Sequence, residues 1–114
     1  MTEPTDTGRV ARVRALNDLL RTTGIGGRIV MTVGVSALAL DELRAVIDAV
    51  RGFDTFSPDN DPHGEHDCAE LSVGDASFIW KIDYYELTLT GGSPDPSDPN
   101  ITARVLTIML AEEY

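Results

Sequence analysis

The densest cluster of chemically capable side chains is residues 59–70, reading DNDPHGEHDCAE. Asp59, Asp61, His63, Glu65, Asp67 and Glu70 fall at positions 1, 3, 5, 7, 9 and 12 of that stretch, with Gly64 at position 6. A calcium loop takes its ligands from those positions around a glycine turn. On this count Asp59, Asp61, Glu65, Asp67 and Glu70 are candidate ligands for a divalent cation, the one cofactor the sequence suggests. The match is partial. His63 is a poor ligand for a hard cation, Pro62 restricts the turn, and the residues that follow read as a strand, so the stretch is no EF-hand. His63 and His66, three apart with Glu65 between them, offer a second chemistry: two imidazoles and a carboxylate on a transition metal with open positions. A metal site of either kind would be structural or hydrolytic. A histidine oriented by a carboxylate is also the pair that general-base catalysis needs. No serine or cysteine is marked as a nucleophile, because Cys68 opens a strand and free cysteine is commonly a small buried hydrophobe. Without a metal, the same residues form a solvated acidic loop held by Asx-turns.

A second cluster is WKIDYYE, residues 80–86. In a strand, alternate side chains face opposite ways. Phe78, Trp80, Ile82 and Tyr84 then share one face and are read as core. Lys81, Asp83 and Tyr85 share the other, where Tyr85 suits a protein interface.

Charge links the two clusters. The net charge is −10, and between Asp54 and Asp98 there are eleven acids against one base, Lys81. The flanking segments balance, with eight acids and eight arginines. Self-repulsion in such a segment is unfavourable unless a cation, a basic partner or solvent offsets it. Nucleic acid is excluded as a direct partner, since phosphate binding needs clustered Lys and Arg. The reading that follows is a binding protein that engages a basic partner protein through Asp59, Asp61, Glu65, Asp67, Lys81, Asp83 and Tyr85. One variant is mimicry of nucleic-acid charge. An enzyme is the less favoured class.

The elements that must position these residues follow from periodicity. The chain has 114 residues, with 42% apolar and 25% charged, which suits one globular domain. Residues 1–8 are polar and read as a flexible tail ahead of a domain over 9–114. No apolar run reaches the ~18–20 residues of a membrane span, and the N-terminus lacks a signal-peptide pattern. One cysteine forbids an internal disulfide. A cytoplasmic protein without membrane contact is expected. Val10, Val13, Leu16 and Leu20 mark one face of a helix over 9–23. Residues 28–33 (RIVMTV) read as a strand between glycines. Ser36 is placed as the N-cap of a second helix to Arg51, with the stripe Leu40, Leu43, Val46, Ile47 and Val50, and Gly52 as its stop. Residues 68–73 and 77–87 read as a hairpin turning at Gly74-Asp75. Residues 91–100, with three prolines, are loop, and 102–110 are apolar on both faces, which places that strand centrally. The fold class is α+β: about two helices packed on a mainly antiparallel four-stranded sheet, in two layers.

The strings GGRIVMTVGV, DNDPHGEHD, WKIDYYE, GSPDPSDP and RVLTIMLAEEY resemble a small bacterial family catalogued only as a domain of unknown function. Its members occur on chromosomes and on plasmids or integrative elements. The resemblance spans about Arg14 to Tyr114 and implies a single domain. It brings no activity, though its distribution suggests a mobile-element or defence-related role. In the family pattern an aromatic and a glycine follow DNDPHGEHD, where this chain has Cys68 and Ala69.

Overall fold

A computed structural model describes residues 6–114. The elements in chain order are α1 (Asp6–Thr23), β1 (Arg28–Met31), α2 (Val33–Ser36), α3 (Leu40–Arg51), β2 (Cys68–Val73), β3 (Ala76–Tyr85), β4 (Ala103–Leu110) and a closing 3-10 turn, Ala111–Glu113. The four strands form one sheet in the order β1-β4-β3-β2. The helices lie over one face of it.

The expected hairpin forms. Val73 pairs with Ala76 across Gly74-Asp75, and Gly74 has a φ of +61°. A left-handed residue at the first central position suits the twist of a two-residue hairpin. β4 lies between β1 and β3, as its two-sided apolarity predicts. Two expectations need correction. The sheet is mixed: β3 pairs antiparallel with both β2 and β4, but β1 runs parallel to β4, Arg28 opposite Val105 through Met31 opposite Ile108. The helix expected from Ser36 to Arg51 is two helices. Ala37 ends α2 and Ala39 is the N-cap of α3, which leaves Leu40 exposed. Of the expected tail, Asp6 to Gly8 are the first turn of α1, and residues 1–5 lie outside the described residues.

Register fixes which side chains meet. Trp80 stands opposite Ala69 on one side and Ile108 on the other, and Ile82 stands opposite Leu106. These residues face Leu20 of α1, Val35 of α2, and Val46 and Val50 of α3, all buried. The core is therefore one layer between helices and sheet, and Trp80, fully buried, is its centre. At the far end of that same face the sheet carries Tyr84 opposite Arg104. There the packing changes from apolar to polar.

Candidate functional site

The polar end is built on the inner face of α1. Val13, Asn17, Leu20 and Arg21 recur at helical spacing and all four are buried. Two are polar and need partners. The Asn17 amide nitrogen donates to the Glu65 carbonyl at 3.0 Å and to the Tyr84 hydroxyl at 2.7 Å. Its amide oxygen accepts from Arg104 Nε at 2.7 Å. The Tyr84 hydroxyl donates in turn to Glu65 Oε1 at 2.8 Å. Arg104 also donates to the Pro96 carbonyl, and its guanidinium lies 5.0 Å from the centre of the Tyr84 ring. Burial pushes the Tyr84 phenol well above its usual range and lowers the Arg104 guanidinium. Arg21 donates through Nη1 to the carbonyls of Val50, Arg51 and Phe53, at 3.0, 3.2 and 2.8 Å. A cation there satisfies orphan carbonyls at the end of α3 and complements its dipole.

The acidic loop, residues 54–67, is fastened to the same helix. Arg14 Nε donates to the Gly64 carbonyl at 2.6 Å. Gly64 has a φ of +70°, which glycine adopts without strain. His66 has a φ of +54°, a conformation that costs a non-glycine residue about 1–3 kcal/mol. Its contacts hold it there. His66 Nδ1 lies 2.9 Å from Asp18 Oδ1, and its backbone N–H donates to Asp61 Oδ1 at 3.2 Å. His66 Nε2 lies 3.7 Å from Asp61 Oδ2, which is beyond hydrogen-bond reach. The ring stacks on Phe56 at 3.6 Å, nearly parallel. Beside it is an open cleft of about 550 Å³, with Arg14, Ser57, His63 and His66 on its walls. With Nδ1 held by Asp18 and Phe56 against its face, His66 fastens the loop to the helix.

The uncovered face of the sheet is different. Lys81, Asp83 and Tyr85 lie on the side of β3 away from the helices, as alternation requires. Lys81 Nζ pairs with Asp83 Oδ2 at 3.1 Å, and that bond raises the Lys81 ammonium above its usual range. Next to the pair is a cleft of about 440 Å³ lined by Asn60, Asp67, Glu70, Lys81, Asp83 and Tyr114. Partial burial raises the Asp67 carboxyl, and the neighbouring charges of Glu65 and Asp61 raise it further. Cys68 is exposed, contrary to the expectation of a buried hydrophobe; partial desolvation, then Asp67 and Asp61, raise its thiol, so it stays in its less reactive protonated form at neutral pH.

The structure thus divides the expected site residues. Asp61 and Glu65, read as partner-facing or cation-binding, lie inside the polar network, Asp61 only 7% exposed. Asp59 and His63 are exposed on the loop. Asp67 and Glu70 join Lys81 and Asp83 on the open face, with Tyr85 further along the same strand. The calcium-like spacing does not produce convergence, because Asp61 and Glu65 turn into the polar network while Asp67 and Glu70, the latter already in β2, lie on the open face. Among the described residues, no group of three His, Cys, Asp or Glu side chains is placed to hold a metal ion. Asn17, Asp18, Arg21 and Arg104 were not foreseen. For Asn17 a sign existed: it sits four residues after Val13 and three before Leu20, a polar residue on an apolar stripe.

No helix of the described residues is long and apolar enough to cross a membrane. The model of a family described as "Protein of unknown function (DUF3768)" matches residues 31–113. No curated protein and no solved structure matches the chain significantly.

Proposed function

The chain belongs to that family of unknown function, and since membership supplies no activity, we propose from the geometry that it is a binding module whose uncovered sheet face engages a basic segment of a partner protein. The observation that carries this reading is the open-face cleft. There Asp67, Glu70 and Asp83 stand around a single cation, Lys81, which is already paired. Three carboxylates against one ammonium leave the cleft anionic, and Tyr85 and Tyr114 flank it with amphipathic surface suited to an interface. Complementary charge steers association and selects partners. A protein that handles nucleic acid presents such a basic surface, so charge mimicry is the form of engagement we favour. A mobile-element or defence-related setting, which the family resemblance implies, would suit it.

The loop contributes less than its charge suggests, since Asp61 and Glu65 are committed internally. Asp54 and Asp59 are the loop acids left exposed.

The test is capture of partners by the full chain from a lysate of cells that express it, at low and at high salt. Wild type is compared with the double variant Glu70→Lys/Asp83→Lys and with Asp59→Asn. The expected result is a basic protein held at low salt, released at high salt, lost by the double variant and kept by Asp59→Asn. Capture that is indifferent to the double variant overturns the reading.

A further inference from the structure

The opposite end of the sheet carries a different surface. Among the described residues β1 is an edge strand, paired on one side with β4. Thr32 donates its backbone N–H to the Ile108 carbonyl at 3.1 Å. Backbone groups alternate along a strand, so the N–H and C=O groups of Ile29 and Met31 point away from β4. Among the described residues, no backbone or side-chain hydrogen bond reaches them there.

Edges left open this way are normally blunted by proline, lysine, a bulge or a charge set into the strand. The other edge of this sheet, β2, has Glu70 at its centre. β1 is short, four residues, and opens with the charged Arg28, but its last three residues, Ile29, Val30 and Met31, carry no charge or proline, and it pairs with β4 residue for residue without a bulge. Ile29 and Val30 are exposed along it, and Val33 just beyond it is 87% exposed. Gly27, which leads into the strand, has no room for a side chain, since a Cβ there would meet the Arg104 carbonyl oxygen. The approach of β1 to β4 is thus fixed by backbone contact, and the edge is held in place before any partner arrives.

Beneath the edge, between the sheet and α3, is a slot of about 250 Å³ lined by Ile29, Met31, Ile47 and Ile108, with Arg21 and Arg51 also on its walls. Arg21 is 3% exposed, and its Nε is buried with no hydrogen-bond partner. The slot is of a size to take one aliphatic side chain.

Charge identifies the occupant. Arg28, Arg44 and Arg51 are exposed. Arg44, Ile47 and Arg51 recur at three and four residues, so they share one flank of α3. None of the three arginines has a carboxylate within 4.0 Å among the described residues. In a chain of net charge −10, this border carries three exposed arginines against one exposed carboxylate on the same flank of α3, Asp48, and is net cationic. A second copy of this acidic chain is a poor match for it.

We propose that the outer edge of β1 is a strand-addition site for an extended acidic segment of another protein, which seats one aliphatic side chain in the slot below Ile29 and Met31. In strand addition the main chain supplies affinity and alternate side-chain pockets supply specificity. Here the open groups of Ile29 and Met31 supply the main-chain bonds, the slot selects an aliphatic residue, and Arg28 and Arg51 select acids beside it. The site is separate from the open-face cleft and does not rest on it.

The test is selection of a random seven-residue peptide library, displayed on phage, against the full-length protein. The expected peptides alternate Asp or Glu with Ile, Leu or Val. As synthetic peptides they should slow hydrogen exchange at the Ile29 and Met31 amides and bind about tenfold more weakly to the Arg28→Glu/Arg51→Glu variant. Both arginine side chains are exposed, and thermal melting checks that the variant is folded. Selection of basic peptides, no enrichment, or binding that leaves those two amides unchanged overturns the proposal. So does a concentration-dependent dimer in sedimentation with both amides already protected, because a second copy then holds the edge.

Discussion

Asp61 and Asp83 belong to the same acidic stretch of sequence, and the fold treats them in opposite ways. Asp61 is buried and accepts from the His66 backbone, with the His66 ring 3.7 Å away. Asp83 stands on the uncovered face, paired with Lys81 and open to solvent on its other sides. Burying a carboxylate is costly unless it is hydrogen-bonded and paired, so Asp61 exists where it does because loop and helix close around it. A half-exposed pair such as Lys81–Asp83 is worth little to folding, which leaves Asp83 available for a partner. Net charge therefore overstates the docking surface. Some of the eleven acids between Asp54 and Asp98 hold the molecule together, and the rest face outward.

The covered core sets the upper limit for any comparison of the two regions. Trp80→Ala is expected to cost about 3–5 kcal/mol in chemical denaturation. Trp80 packs edge-to-face on Phe53 and Phe56, with ring centres 5.9 and 6.2 Å apart, and Phe56 in turn stacks on His66. The same variant should therefore speed hydrogen exchange in the loop at residues 61–66. A cost below about 1 kcal/mol would mean that the core does not support the loop.

Asp61→Ala against Asp83→Ala is the direct contrast. Removing Asp61 strips a charged acceptor from the His66 N–H and leaves the left-handed His66 conformation less supported. The expected loss is about 1.5–3 kcal/mol. Asp83→Ala should stay within about 0.5–1 kcal/mol. Equal losses would erase the distinction between holding acids and outward acids.

Much of the fold was legible because it rests on local pattern. Alternation located β2 and β3 and put Trp80 inside, and the two-sided apolarity of residues 102–110 placed β4 at the centre. What sequence pattern lacks is partner identity. RIVM reads as a strand, but nothing in it says that it will run parallel to β4, because that depends on where α2 and α3 return the chain. Ser36 has the chemistry of an N-cap, yet the chain closes a short helix there and restarts at Ala39. The site shows the same limit. His66 and Asp61 stand out in the sequence, but Asp18, which orients the histidine, is 48 residues earlier. Asn17 and Arg104, joined by a 2.7 Å bond, are 87 residues apart. Spacing along the loop suggested a cation; spacing in three dimensions put arginines and a histidine among the acids instead.

Glu113 is an intermediate case: exposed, outside the acidic stretch, and yet fully used. Its carboxylate accepts from the Thr32 hydroxyl at 2.5 Å and from the backbone N–H groups of Leu110 and Gly34 at 2.8 and 3.0 Å. These bonds, the Thr32 hydroxyl foremost, hold its pKa below the usual carboxylate range. A depressed carboxyl adds stability that is complete above the unfolded value, about 4.3, and is lost as pH falls through the folded value. Wild type should melt above Glu113→Ala at neutral pH, and the gap should close only below about pH 4.3. A gap that is constant down to strong acid would mean that the side chain acts by packing, and Glu113 would no longer count among the holding acids.

The smallest effect is expected from salt, and it separates the two classes most cleanly. Repulsion among exposed acids is screened within ~8–10 Å at 0.1–0.15 M ionic strength, whereas buried or tightly paired charges are screened far less. The melting temperature of wild type should therefore rise from low to moderate sodium chloride. Neutralising two exposed acids, Asp59→Asn with Glu70→Gln, should change stability by no more than about 0.5 kcal/mol per site and flatten that rise. Asp61→Asn should behave otherwise, lowering the whole curve while leaving its slope as in wild type, because Asp61 already faces the His66 N–H and ring. If wild type shows no rise, the outward acids do not repel one another, and the anionic open face has no electrostatic strain for a basic partner to relieve. If Asp61→Asn flattens the rise as much as the surface pair does, Asp61 is solvated after all, and the loop returns to being a docking surface.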